Sequence, residues 1–454
     1  MIELASEPKP MKRIIGLLSG ILMVPGIIIG TGIFKELAPM AAGHLSDNTI
    51  IVVWVAAGIV TLLGALSVSA LSSLTTESGG EYEYLKVAFG KFAAFIFGWT
   101  SFVIIGSASV AAMSMIVMQS LKDLLPSAVT FSASSWKILA CALIMLITFF
   151  NIISTRSSIG FNNLLTFFKF AGLFLLIFGG FYFYQQLPEH VLHSEVAQDY
   201  VTGLNLFKPF VAAMMSAFWA YDGWLSIAFM GGEMKNPKKN LPLSIIIGVL
   251  IVMVLYVLVN MAILRVIPAS SLAQMSSNDI AATEMSQMVF GKIGNTLMSL
   301  LILICTLGAL NGIIITYSRM YYKMSIDGLF FKHAGMLHRR FETPYVALLL
   351  AMCVSCILVF AGTFEVLTNV IVFAGYFFYA LLAFATIKLT WNGRIQTKHP
   401  AYLIASVIFI LFSGCLLIST IISTPLQMGA GIGVMLLGAP MYLYFKWSNR
   451  KTEN

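Results

Sequence analysis

The sequence predicts an all-α polytopic membrane protein, one integral-membrane unit over residues 1–454 with twelve spans. Three observations carry that reading. Hydrophobic residues make up 59% of the chain and charged residues only 10%, with a mean hydropathy of +0.91, which excludes a soluble domain. Apolar stretches recur at about 12–43, 50–74, 91–120, 136–154, 160–184, 206–231, 241–264, 291–322, 344–361, 366–388, 401–421 and 427–446. Most reach the ~20 residues a helix needs to cross the hydrocarbon core. Finally, the first and sixth stretches carry glycine at their middles.

The stretches follow in order. The first runs Gly16 to Ile29, breaks at Gly30-Thr31-Gly32 and resumes at Ile33-Phe34. Lys9, Lys12 and Arg13 precede it, and no small-residue cleavage site leads into a polar chain, so no cleavable signal peptide is expected. Glu81 and Glu83 follow the second stretch and read as a solvated cytoplasmic connection. The fifth contains Lys169, about nine residues from Gly160 and thirteen from Tyr182, too central to snorkel. The sixth runs Leu206 to Trp219, breaks at Ala220-Tyr221-Asp222-Gly223 and resumes at Trp224 to Met230. The ninth is near the lower length limit. The longest connections, about 185–205, 265–290 and 323–343, are too short for a soluble domain.

Lysine and arginine divide unequally between the two sides, twenty against six, with Lys169 inside a span. This bias predicts that both termini face the cytoplasm. The net charge of +8 is then a topological bias and not a nucleic-acid patch. The five cysteines (Cys141, Cys305, Cys353, Cys356, Cys415) lie in apolar stretches and the six histidines in loops. Cys353 and Cys356 lack a second ligand pair, so packing is expected there rather than a metal or redox centre. No cofactor or metal is expected.

Broken helices in corresponding positions of two halves point to a transporter's substrate site. An unwound stretch exposes N–H and C=O groups that are costly in hydrocarbon unless a partner or a wet cavity serves them. The outer half of the first span would offer free N–H groups at Thr31, Gly32 and Ile33 to a carboxylate. Carbonyls near Ile28 and Ile29, and near Trp219 and Ala220, would face an ammonium.

Several strings resemble one superfamily. They are the decapeptide Pro25 to Phe34, Ser78-Gly79-Gly80-Glu81-Tyr82-Glu83-Tyr84 through Phe89-Gly90 to Gly98-Trp99, and Gly232-Glu233-Met234-Lys235-Asn236-Pro237 through Pro242. Asn311-Gly312, Thr316-Tyr317-Ser318-Arg319 and Asp327-Gly328 continue the pattern. Together they resemble the amino acid–polyamine–organocation superfamily, and within it the L-type amino-acid transporter branch. The resemblance implies a LeuT-type fold: a first repeat over 1–184, an inverted second repeat over 206–388, and two appended spans over 401–446. It implies a sodium-independent amino-acid transporter of the plasma (inner) membrane, either an exchanger or a proton-linked permease. Heavy-chain-linked animal members carry a cysteine in the loop after span 3. Leu121 to Ser135 has none, so no disulfide-linked heavy chain is expected.

The resemblance also assigns roles. Lys169 takes the place of a sodium ion beside spans 1 and 8, or, if burial lowers its pKa, acts as a proton-coupling group. Trp219 is a gating aromatic or ordinary packing. Ser101 and Asn311 line the side-chain pocket or a span 8 contact. Asp222 departs from the L-type pattern, which has glycine or an apolar residue there, and so does Leu225. Three roles stay open for Asp222: reading a substrate ammonium, carrying a proton, or neutralising Lys169. The first motivates the alternative of an amine or cationic amino-acid carrier. An enzyme is disfavoured, since the spans lack histidine and hold a single deep acid.

Overall fold

The computed structural model describes residues 12–75, 77–125, 131–186, 200–275, 280–362, 364–395 and 400–450. Lys9, Lys398, Lys451, three of the histidines and part of the Leu121–Ser135 loop lie outside the described residues.

Among the described residues nine helices are long and apolar enough to cross a membrane. These are Asp47–Ser69, Lys91–Leu124, Ala133–Ile153, Thr155–Tyr182, Pro237–Val266, Lys292–Ile326, Val366–Trp391, Ala401–Ser423 and Pro425–Ser448. Leu17–Ile28 and Gly32–Ala42, bent by 42° at their break, make a tenth if counted as one span. The ninth apolar stretch forms the shorter helix Tyr345–Ala361. The sixth is divided between the helix Phe207–Tyr221 and a 3-10 helix Ser226–Glu233. Fewer helices pass the length test than the twelve stretches expected, because the first and sixth stretches are broken into shorter pieces and the ninth forms a helix of 17 residues, too short to pass.

Serine starts three of the long helices. The side chains of Ser46, Ser132 and Ser154 accept from the N–H groups of Thr49, Ser135 and Ser157, serving donors that a helix start leaves open. Small residues let the broken first span approach Pro237–Val266 closely. A Cβ on Gly248 would lie 2.5 Å from the Val24 Cβ.

The start of the first span is tied to the end of the sixth. Ile14 and Ile15 donate to the Glu233 carbonyl at 2.8 and 3.0 Å, and Lys235 donates to the Ile15 carbonyl at 2.8 Å. Glu233 also accepts from Arg319 Nε at 2.8 Å, while Arg319 Nη2 donates to Thr155 Oγ1 at 2.8 Å. Both partners are buried. Arg319 lies within the Lys292–Ile326 helix at 1% exposure. It tolerates this because each of its three side-chain nitrogens donates to a partner.

Glu81 and Glu83 overturn the expectation of a solvated loop. They open the helix Glu81–Phe89 and are 2% and 4% exposed. Glu83 pairs with Lys86, which also meets Asp327 at 2.5 Å. Tyr82 donates to Asp327 at 2.9 Å. Lys86 is three residues from Glu83, but Asp327 lies more than two hundred residues away, and the local string carried no sign of it.

Removing one partner of a buried ion pair leaves an uncompensated charge, at a cost of about 3–5 kcal/mol. Glu233→Gln is therefore expected to lower the apparent melting temperature in detergent well below that of Lys91→Gln, a change at an exposed site. Equal melting of the two variants would remove Arg319–Glu233 from the forces holding these spans together.

Candidate functional site

The first helix stops at Ile28 because Ile29 turns to extended backbone, φ −72° and ψ 96°. The chain becomes helical again at Gly32. Gly32 is required there by close approach: an added Cβ would lie 2.6 Å from the Ala220 Cα. In the sixth span Asp222 is extended, φ −63° and ψ 158°. Gly223 follows with φ +90°, a conformation that side chains rarely adopt. The two breaks thus pack backbone against backbone.

They face one small cavity of about 20 Å³. Ile28, Gly30, Thr31 and Gly32 line it from the first span, and Trp219, Ala220, Asp222 and Gly223 from the sixth. Three further residues, Ser109, Met113 and Ile313, complete the lining from the Lys91–Leu124 and Lys292–Ile326 helices. Sequence reasoning did not single these out. Ile29, Ile33 and Tyr221 are buried just behind the lining. Tyr221 donates to the Trp54 carbonyl at 3.2 Å.

Ser101 does not line the cavity. It begins a π-helical turn, Ser101–Ile105, and its carbonyl accepts from Tyr321 at 3.1 Å. The extra residue of that turn rotates the rest of the helix, and Ser109 reaches the cavity instead. Asn311 also lies away from it. Its side chain donates to the Ser158 carbonyl at 3.1 Å and accepts from Asn151 at 2.9 Å, joining three helices.

The carbonyls expected to face a ligand ammonium already have protein donors. Lys169 Nζ donates to the carbonyls of Gly26 at 2.7 Å and Ile29 at 2.6 Å. The Tyr256 hydroxyl lies 2.9 Å from the Ala220 carbonyl and 3.3 Å from that of Ile28. The Trp219 carbonyl accepts from Asp222 N–H at 3.3 Å. Room for Lys169 comes from Gly308, whose Cβ would sit 2.8 Å from the lysine Cε.

Asp222 lines the cavity as its single carboxylate. Tyr379 donates to its Oδ1 at 2.9 Å, and the Gly223 N–H supports it. Among the described residues it forms no ion pair with Lys169, whose ammonium turns to the first-span carbonyls. Mutual neutralisation, one of the three roles considered for Asp222, does not occur in this arrangement. Trp219 is 8% exposed and forms part of the wall.

The cavity therefore combines helix-start N–H groups, a carboxylate, a serine hydroxyl and an aromatic wall. The sequence model of the family described as Amino acid permease matches residues 15–443. The chain is 28% identical over 446 residues to the serine/threonine exchanger SteT of Bacillus subtilis (strain 168), covering 97% of this chain and 98% of that one. It is 30% identical to the b(0,+)-type amino acid transporter 1 of Mus musculus, covering 91% and 84%. With the Asc-type amino acid transporter 1 of Homo sapiens it shares 29%, covering 96% and 83%.

Gly32→Ala tests the contact between the breaks. The neighbour is backbone and cannot swing aside, so overpacking should cost about 1–3 kcal/mol, roughly a ten- to hundredfold loss of ligand occupancy. Gly16→Ala, where nothing lies within 4 Å, is expected to bind like wild type. Equal binding by both variants would show that the two breaks need not touch.

Proposed function

The chain belongs to the amino acid permease family, and from that membership we propose that it transports amino acids across a membrane without sodium. The reading rests on one observation, that the two broken helices share a cavity lined by Thr31 and Gly32 of the first and Asp222 of the sixth. We assign the substrate carboxylate to the open N–H groups around Thr31, Gly32 and Ile33. The ammonium goes to Asp222, because the carbonyls at Ile28, Ile29, Trp219 and Ala220 are served from within the protein. Trp219 covers the bound molecule and excludes water.

Lys169 stands where a sodium-dependent relative would hold its ion. Its ammonium supplies the positive charge and the donors that the carbonyls of Gly26 and Ile29 require. The twelve-span arrangement fits the same reading, with inverted repeats over 1–184 and 206–388 and two further spans over 401–446. So does a location in the plasma (inner) membrane with both termini cytoplasmic. Exchange is the favoured mode, as in the serine/threonine exchanger relative, and it needs no disulfide-linked heavy chain. The Asp222 carboxylate favours a second reading, an amine or cationic amino-acid carrier, because it can serve an added ammonium.

In proteoliposomes, uptake in choline or potassium buffer is expected to match that in sodium buffer, and Lys169→Ala to reduce it sharply. A tenfold stimulation by sodium, or near-normal turnover by the variant, would contradict the surrogate-cation role. Asp222→Asn removes a charge-assisted contact of about 1.5–3 kcal/mol, roughly a ten- to hundredfold loss of affinity. Competition between L-serine and L-lysine then separates the two substrate readings. Unchanged affinity for both in the variant would return Asp222 to a structural role.

A further inference from the structure

Glu81 is the buried acid that the substrate reading leaves unused. It is 2% exposed and forms no hydrogen bond or ion pair among the described residues. Asp222 apart, the buried charges near it have partners. On its own helix Glu83 pairs with Lys86, and Lys323 stands close by. Arg319 is held by Glu233. Lys388 donates to the Ala88 carbonyl at 2.9 Å, at the far end of the helix. The titratable groups whose charge acts on Glu81, or on which Glu81 acts, are Tyr84 on its own helix, Asp222 on the sixth span, and Tyr317 and Tyr379 on the Lys292–Ile326 and Phe364–Trp391 helices.

Backbone contacts join the start of this helix to the sixth span. Gly79 N–H donates to the Phe229 carbonyl at 3.1 Å, and a Cβ on Gly80 would lie 2.7 Å from the Phe229 nitrogen. Glu81 therefore starts directly against the 3-10 helix that follows Asp222. Tyr379, which donates to Asp222, is also acted on by the charge of Glu81. Two carboxyls in this enclosure, with no cation between them, cannot both ionise cheaply. Burial first, and the like charge of Asp222 second, hold the Glu81 carboxyl well above the usual carboxylate range.

We propose that Glu81 is a proton-binding coupling site: it holds a proton while the cavity is empty and releases it when a substrate ammonium settles against Asp222. The proposal rests on the assignment of Asp222 to the ammonium. Charge balances at each stage. The empty pair carries one proton and one negative charge. With ligand bound, the ammonium supplies the positive charge, Glu81 ionises, and its proton leaves on the side of Lys86 and Lys323. Proton and substrate then compete for the same pair, so loading by one expels the other.

Binding heats measured in two buffers of different ionisation enthalpy count the protons released. L-Serine, with L-lysine as the cationic probe, is titrated into purified wild-type protein between pH 5 and 8. About one proton should leave per bound probe, and affinity should tighten about tenfold per pH unit below the Glu81 midpoint. Glu81→Gln should still bind, with no proton release and a flat pH profile. Should that variant not fold, Glu81→Asp keeps the acid and should shift the midpoint. Wild-type binding without proton release, an unchanged slope in Glu81→Gln, or an unshifted midpoint in Glu81→Asp overturns the proposal. Failure of wild type to bind either probe overturns the amino-acid reading and the proposal with it.

Discussion

The arrangement depends on one constraint: backbone polar groups inside a membrane need partners. Interrupting a spanning helix frees carbonyls at the break, and this chain serves them from neighbouring helices. Lys169 takes two carbonyls of the first span. Tyr256 reaches one from each break. These donors fix the first, fifth, sixth and seventh apolar stretches relative to one another. They also decide what is left for a ligand. With these carbonyls occupied, the features left for a ligand in the proposed reading are helix-start N–H groups and the partly compensated Asp222 carboxylate.

The buried charges follow the same logic to different degrees. Arg319 and Glu233 form a closed pair, with a threonine hydroxyl and a backbone carbonyl completing the guanidinium. Lys169 has no acid, but two carbonyl dipoles pointing at its ammonium. Asp222 has a tyrosine hydroxyl and one N–H. A charge that is removed from water and only partly compensated is expensive. The less complete the compensation, the more a group gains from an arriving ion or from holding a proton, and Glu81 stands at that end of the series.

The breaks and the lone lysine were legible because each is a local anomaly in an apolar stretch. The order of helices followed from the apolar stretches for the same reason, although the number that meet the length test is smaller. Other features arise from contacts distant in sequence. Glu81 and Glu83 read as solvated from their neighbours, yet Lys86, Asp327 and the sixth-span backbone bury them. Ser101 and Ser109 are both serines on one apolar helix. Only the π-helical turn between them decides which reaches the cavity, and no residue pattern announces such a turn. Asn311 belongs to a recognisable string, but its partners Asn151 and Ser158 turn it away from the cavity.

The two broken helices are also joined away from the cavity. Three backbone hydrogen bonds link Ile14 and Ile15 to Glu233 and Lys235, so the start of the first span and the end of the sixth are held to each other. Arg319 then ties that junction to Thr155 on one side. The Glu81–Phe89 helix is tied to Asp327 through Tyr82 and Lys86 on another. A path to the cavity from this side has to part these polar pairs or carry the joined ends away as a unit. The second course keeps the three backbone bonds intact, and it gives up the Gly79–Phe229 contact that holds Glu81 beneath the sixth span. Opening on this side would therefore hydrate Glu81 at the moment the cavity is exposed, so that exchange of its proton with water accompanies exchange of the ligand.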